Sequence, residues 1–239
     1  MSSPYQELKE RAWAANQEIP KRGLAIYTFG NASEVDRARG VFAIKPSGVP
    51  YADLRPEMIV VVDLENRVVE GKLRPSSDTK THTHLYRHFR NIGGVVHTHS
   101  PYAVAWAQAG RSVPVLGTMH ADHLPGDIPC TIKMSDRMIR GDYEEETGAL
   151  IVRTFARKSY EDFPMVLVAG HGPFTWGATP EKAVYNGLMI EEIAKIAYWT
   201  LGINPRVGRL RKSLITKHFT RKHGPDSYYG QSGSTGEKA

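Results

Sequence analysis

The segment Gly94-Val95-Val96-His97-Thr98-His99-Ser100 constrains this chain more than any other. It is an apolar run of strand type that carries two histidines two residues apart. Strand side chains alternate between faces, so His97 and His99 are predicted to point the same way. Paired imidazoles fill a core poorly and hold a divalent metal well. A second apolar run, Met165-Val166-Leu167-Val168-Ala169, leads to His171. Three histidines with one coordination position open make a catalytic zinc pattern. The fold must then bring the ends of two strands together. Read alone, His97 and His99 leave a second possibility open, that of hydrogen-bonded core histidines.

Asp78 offers a carboxylate at a predicted helix start, as a further ligand or as an ordinary N-cap. His84 and His88 form a competing pair, four residues apart on that helix. Their polar setting, beside Arg87 and Arg90, marks them as surface residues. His120 and His123 flank Asp122, where either is placed to support a neighbouring ligand.

The pattern around these motifs predicts helices over residues 4–19, 79–90, 101–110, 144–158 and 180–201. It predicts strands over residues 25–29, 40–45, 58–63, 67–70 and 165–169, besides the His97/His99 strand. Short strands with tight connections favour antiparallel pairing. Several strands are apolar throughout, so both sheet faces must be covered. The expected fold is a three-layer α/β/α domain with a central, mostly antiparallel sheet. It spans residues 1–229, and the Gly/Ser-rich residues 230–239 read as a disordered tail. A chain of 239 residues, 41% hydrophobic, is long enough for one sizeable core.

Cys130 is the single cysteine, which rules out an intrachain disulfide and fits a reducing cytoplasm. No apolar run approaches the roughly 18–20 residues of a membrane span, and the first residues lack a signal-peptide pattern. A cytoplasmic protein without a membrane partner is therefore expected. The net charge of +6 is local. Arg206, Arg209, Arg211, Lys212, Lys217, Arg221 and Lys222 crowd residues 204–223, which hold no acidic residue. No nucleic-acid-binding motif accompanies them, and no nucleic-acid partner is expected.

Three short segments share a character: Gly30-Asn31-Ala32-Ser33, Lys45-Pro46-Ser47-Gly48 and Pro75-Ser76-Ser77-Asp78. Small residues let backbone amides approach an anion, and hydroxyls and Lys45 add donors. None matches a P-loop or dinucleotide fingerprint, and each alone reads as a plain turn. Together they point to a phosphate site next to Asp78, as a small sugar phosphate would need.

These segments, with His97-Thr98-His99-Ser100, His120-Ala121-Asp122, His171-Gly172-Pro173-Phe174, Lys217-His218-Phe219-Thr220-Arg221-Lys222-His223-Gly224 and Tyr228-Tyr229-Gly230-Gln231, resemble the epimerase branch of the class II aldolase/adducin family. The resemblance runs in order over about residues 5–231. It implies one zinc ion per subunit, held by His97, His99 and His171 with Asp78 as a further ligand; Mn or Co would suit the same ligands. It implies a substrate phosphate among Asn31, Lys45, Ser47, Gly48, Ser76 and Ser77. It assigns proton transfer to Asp122 and Tyr229, with His218 orienting the substrate. Tyr229 and His218 would come from the neighbouring subunit of a homotetramer. The implied reaction is epimerisation at C4 of L-ribulose 5-phosphate to D-xylulose 5-phosphate, by breaking and re-forming the C3–C4 bond. The nearest alternatives are a class II aldolase acting on a ketose 1-phosphate and a non-catalytic adducin-like module. Aldolases of the family tend to carry Glu at the position of Asp78. The family usually has an aromatic residue after Asp122, where this chain has His123-Leu124-Pro125.

Overall fold

The computed structural model of the protein describes residues 3–223 and residue 227. Its strands are β1 (Asn31–Asp36), β2 (Val41–Ile44), β3 (Val60–Asp63), β4 (Val68–Glu70), β5 (Gly94–His97), β6 (Met165–Val168) and β7 (Gly172–Gly177). Its helices are α1 (Gln6–Lys21), α2 (Thr79–His88), α3 (Pro101–Gln108), α4 (Thr118–Ala121), α5 (Asp136–Arg140), α6 (Tyr143–Thr154), α7 (Pro180–Ile203) and α8 (Lys212–His223). The strands form one sheet in the order β4-β3-β2-β1-β5-β7-β6, and every pairing is antiparallel.

Alternation within the strands builds the layers. In β2, Phe42 and Ile44 enter one core with Leu85 and Tyr86 of α2 and Ile151 of α6. Val41 and Ala43 face the other way, against Leu8 and Ala12 of α1. In β5, Val95 joins the α2 side and Val96 packs with Ala15 of α1 and Val184 of α7. The expected α/β architecture, helices on both faces of an antiparallel sheet, is what forms.

Several elements differ from the sequence-based expectation, among them helices α4, α5 and α8, which it did not include. Residues 25–29 are not a strand. Tyr27 adopts a left-handed backbone (φ 53°) and Gly30 another (φ 85°), which turns the chain. Ile26, Tyr27 and Phe29 are consequently exposed. The strand comes next instead, in the polar segment Asn31–Asp36. It is stabilised by its neighbours: Asn16 of α1 brackets Ala32, its Nδ2 donating to the Ala32 carbonyl and its Oδ1 accepting from the Ala32 amide. Ser33 Oγ lies 2.7 Å from both His82 Nδ1 and Tyr86 Oη. Another difference is β7, whose glycines and proline hide a fully buried strand. Pro20, one residue past the predicted end of the first helix, lies inside its last turn.

Register then positions the site. Asn31 of β1 pairs with His97 of β5, which pairs with Phe174 of β7. This row ends the sheet on its α2 face, and the N-terminus of α2 lies beside it.

Candidate active site

His97 is the last residue of β5, so His99 lies beyond the strand rather than on it. The imidazoles converge all the same. Ring centroids are 4.8 Å apart for His97–His99, 4.6 Å for His97–His171 and 5.3 Å for His99–His171. One nitrogen from each ring lies within 4.8 Å of the others. His171 sits in the turn between β6 and β7. Phe174 stacks on His97 at 4.3 Å, and Phe29 leans on His99 at 5.4 Å.

The tautomer of His97 is set by its surroundings. Its Nδ1 lies 2.9 Å from the Pro173 carbonyl oxygen, which only accepts. Nδ1 therefore carries the proton, and Nε2 keeps its lone pair. Burial pushes His97, His99 and His171 all below the usual imidazole range. Three neutral imidazoles with converging nitrogens fit a divalent metal such as zinc.

Asp78 stands at the N-cap position of α2, but its side chain makes no capping bond. Its Oδ2 instead accepts from Asn31 Nδ2 at 2.7 Å. This removes the plain-cap reading of Asp78. The carboxylate lies next to the histidine cluster without belonging to the tight triad.

One cleft of about 360 Å³ takes in His97, His99, His171 and Asp78, together with Asn31, Lys45, Ser47, Gly48, Ser76 and Ser77. Every residue expected at the metal or the phosphate therefore lines a single cavity. The two serine loops are tied to each other: Ser47 N donates to Arg74 O at 2.9 Å, and Ser76 N donates to Lys45 O at 3.0 Å. Those two amides are thus spent within the protein. The hydroxyls of Ser47 and Ser77, which meet no protein partner among the described residues, are the groups free for an anion. Lys45 is only 2% exposed, and no carboxylate among the described residues pairs with it. Its Nζ donates to Thr28 O at 3.4 Å and lies 4.8 Å from the Tyr51 ring centre. Burial lowers its pKa to about 8. A buried lysine without a counter-ion is a strong anion attractor.

Sequence reasoning missed Thr28 and Phe29, which line the same cleft beside Gly30 of the first small-residue segment. The left-handed turn was the concealed signal. At Gly30 a Cβ would stand 2.9 Å from the His97 carbonyl oxygen, so glycine alone fits. Tyr143 was also missed; its hydroxyl is 3.4 Å from His171 Nδ1.

Asp122 and His218 do not line this cleft within one chain. They meet each other: His218 Nδ1 is 2.9 Å from Asp122 Oδ1. Arg221 adds a two-pronged contact, Nε to Oδ1 at 3.0 Å and Nη2 to Oδ2 at 2.9 Å. Burial raises the Asp122 carboxyl, but the bonds from His218 and Arg221 outweigh it and hold the group below the ordinary carboxylate range. Tyr229 lies outside the described residues, as do residues 230–239. His120 is buried with Nε2 3.0 Å from the Gly126 carbonyl oxygen, and His123 reaches Met119 O and Tyr185 Oη. Neither supports the triad. Arg209 pairs with Asp127, so part of the basic C-terminal charge is used within the chain.

The profile of the Class II Aldolase and Adducin N-terminal domain matches residues 10–198. Among solved structures, the chain is similar to an L-fuculose 1-phosphate aldolase with a TM-score of 0.75 and 23% identity, over 91% of this chain and 96% of that one. An aldolase II superfamily protein from Pseudomonas syringae superposes with a TM-score of 0.77 and 16% identity, over 95% and 90% of the respective chains. The L-fuculose-1-phosphate aldolase from Thermus thermophilus gives 0.65 and 25%, over 83% and 97%. No helix among the described residues is long and apolar enough to cross a membrane.

Proposed function

The chain belongs to the class II aldolase and adducin family, and on that premise we propose that it is a metal-dependent epimerase of a phosphorylated ketopentose. The reaction is the interconversion of L-ribulose 5-phosphate and D-xylulose 5-phosphate. The observation that carries this reading is the shared cleft: a three-histidine donor set and a buried lysine with free serine hydroxyls line one cavity. Asp78, rather than the longer Glu that aldolases of the family tend to carry, favours epimerisation over release of an aldehyde.

His97, His99 and His171 would hold the metal, zinc in this reading, with Asp78 completing the set. A divalent ion there supplies Lewis-acid polarisation to a carbonyl and its neighbouring hydroxyl. The protein does the rest. Lys45 and the hydroxyls of Ser47 and Ser77 grip the phosphate, and Gly48, Ser76 and Asn31 shape its seat. That anchor holds the two-carbon aldehyde fragment after C3–C4 cleavage and lets it present its other face for re-closure. Proton transfer at the C4 hydroxyl needs one group on each face. Tyr229 is one. The Asp122–His218 pair is the other, because Asp122 fixes His218 through Nδ1 and leaves Nε2 open to a substrate.

That pair would reach the cleft from a neighbouring subunit of a homotetramer. Two observations support this: the pair lines no part of its own chain's metal cleft, and Tyr198, Trp199 and Ile203 of α7 are exposed apolar side chains that need covering. His218 and Asp122 would then arrive together.

The experiment that separates this reading from aldolase chemistry is trapping of free aldehyde during turnover of a ketose phosphate. An epimerase retains glycolaldehyde phosphate between cleavage and re-closure. Stoichiometric release of an aldehyde would assign the chain to the aldolases.

A further inference from the structure

Two of the three imidazoles in the cleft have a hydrogen-bond partner at Nδ1 among the described residues, and the partners differ in kind. His97 meets the Pro173 carbonyl oxygen, a fixed backbone acceptor, at 2.9 Å. Its ring is buried at the end of β5 and stacked on Phe174. His171 meets a side chain instead: the Tyr143 hydroxyl stands 3.4 Å from its Nδ1. His171 is only half-buried, in the turn that follows Gly170, whose backbone is left-handed (φ 77°). A turn fixes the place of a side chain but leaves its staggered rotamers open. The aim of the His171 ring therefore needs a further contact.

Tyr143 reaches that ring from outside the cleft. His171 lines the cavity with His97, His99 and Asp78, and Tyr143 does not. With Nδ1 turned to the phenol, Nε2 is the nitrogen left to face the other two rings. A lone pair on Nε2 requires the proton on Nδ1, and a phenol oxygen can accept it.

Tyr143 is itself firmly placed, as the first residue of α6. Asp142, the cap of that helix, accepts from the Glu145 amide at 3.4 Å and from Lys80 Nζ of α2. The Thr81 hydroxyl of α2 donates to Glu144 O at 2.7 Å. At Gly148 of α6 a Cβ would fall 2.5 Å from His84 Cβ, so the two helices pack without a gap. Helix α2 carries Asp78 at its start, so one helix pair fixes the carboxylate and the phenol together.

We propose that Tyr143 is a positioning residue of the cleft, whose hydroxyl accepts the Nδ1 proton of His171 and so holds the Nε2 lone pair towards the metal. The role rests on the metal reading of the cleft and names the group that keeps one ligand aimed. His97 owes its aim to the backbone, whereas that of His171 depends on one replaceable oxygen atom.

The test uses the chelator-stripped full chain and Co²⁺ alone, whose visible absorption reports ligand geometry. Tyr143→Phe removes the oxygen and keeps the ring. It is expected to bind Co²⁺ about 10–100-fold more weakly, the usual cost of losing a group behind a ligating histidine, and with an altered absorption spectrum. The thermal midpoint of the stripped protein should stay close to that of wild type. In zinc-loaded protein labelled with ¹⁵N-histidine, the His171 Nδ1 proton should be protected from exchange in wild type and exchange faster in Tyr143→Phe. Wild-type affinity and absorption in Tyr143→Phe, or a His171 Nδ1 proton that exchanges alike in both chains, would overturn the proposal and leave the metal reading intact. Failure of the wild-type chain to take up Co²⁺ would remove that reading, and this role with it.

Discussion

His218 and Asp122 are 96 residues apart in sequence and share a 2.9 Å contact between Nδ1 and Oδ1. The contact joins the C-terminal helix α8 to the end of α4, and Arg221 and Lys222 of the same helix close on the same carboxylate. It makes a dyad of two residues that the sequence offers separately. Whatever surface receives His218 receives Asp122 with it.

Replacing Asp122 with Asn keeps the shape and removes the charge. Turnover is expected to fall by about 10²–10⁴, the span of a lost proton-transfer group. Metal content should stay at the wild-type level, because the triad lies elsewhere. Elemental analysis alongside a steady-state assay checks both; undiminished kcat would remove Asp122 and its partner from the chemistry.

Lys45 gives a pH signature. Its pKa of about 8 in the free protein means that the cation, and with it the attraction for phosphate, is lost as pH rises through 8. KM for a phosphorylated substrate should therefore climb between about pH 7 and 9.5, while a phosphate monoester is already a dianion throughout. Lys45→Met should raise KM about 10–100-fold near neutral pH, as expected for a lost charge-assisted hydrogen bond. It should also flatten the alkaline rise. The linkage to stability has the opposite sign. A lysine whose pKa is lowered by folding makes the unliganded protein more stable as pH rises from about 8 towards 10.5. Thermal shifts with and without inorganic phosphate across this window measure both effects.

The start of α7 touches the sheet at Gly94. A Cβ there would fall 2.4 Å from Pro180 Cα and 2.6 Å from its nitrogen, which are backbone atoms with nowhere to go. Gly94→Ala should destabilise the fold by about 1–3 kcal/mol, the usual range for overpacking. Because β5 also carries His97, metal affinity should drop with it. Denaturant titration and chelator competition read the two losses.

Much of this is legible in the sequence. The His97/His99 pair, the apolar run leading to His171 and the serine loops already name the residues of the cleft. Phe42 and Ile44 against Val41 and Ala43 show why: strict alternation in a doubly covered strand writes both layers into four residues. What stays hidden is decided by tertiary contacts. Gly30-Asn31-Ala32-Ser33 reads as a plain turn, yet Asn16, Asp78, His82 and Tyr86 supply the partners that let Asn31–Asp36 pair as a strand. Residues 25–29 read as a strand, yet a tyrosine and a glycine at positive φ turn them away from the sheet. His99, expected on the strand, lies past its end and reaches the cluster through the turn of the chain. The placement of His218 against Asp122 has no local signal, since no periodicity links the two segments.

For the triad itself, His97→Ala should abolish tight metal binding in the cleft and turnover together. The far-ultraviolet circular dichroism spectrum should be preserved, since His97 lies at a strand end. A variant that turns over without metal would disconnect the triad from the reaction.

The most direct measurement is conversion of L-ribulose 5-phosphate by the purified chain, loaded with zinc and, in parallel, stripped by chelator. The account predicts D-xylulose 5-phosphate as the product, loss of the activity on stripping, recovery on restoring zinc, and no free aldehyde. Absence of any C4 epimer from the zinc-loaded protein, or release of an aldehyde in step with substrate loss, would contradict it.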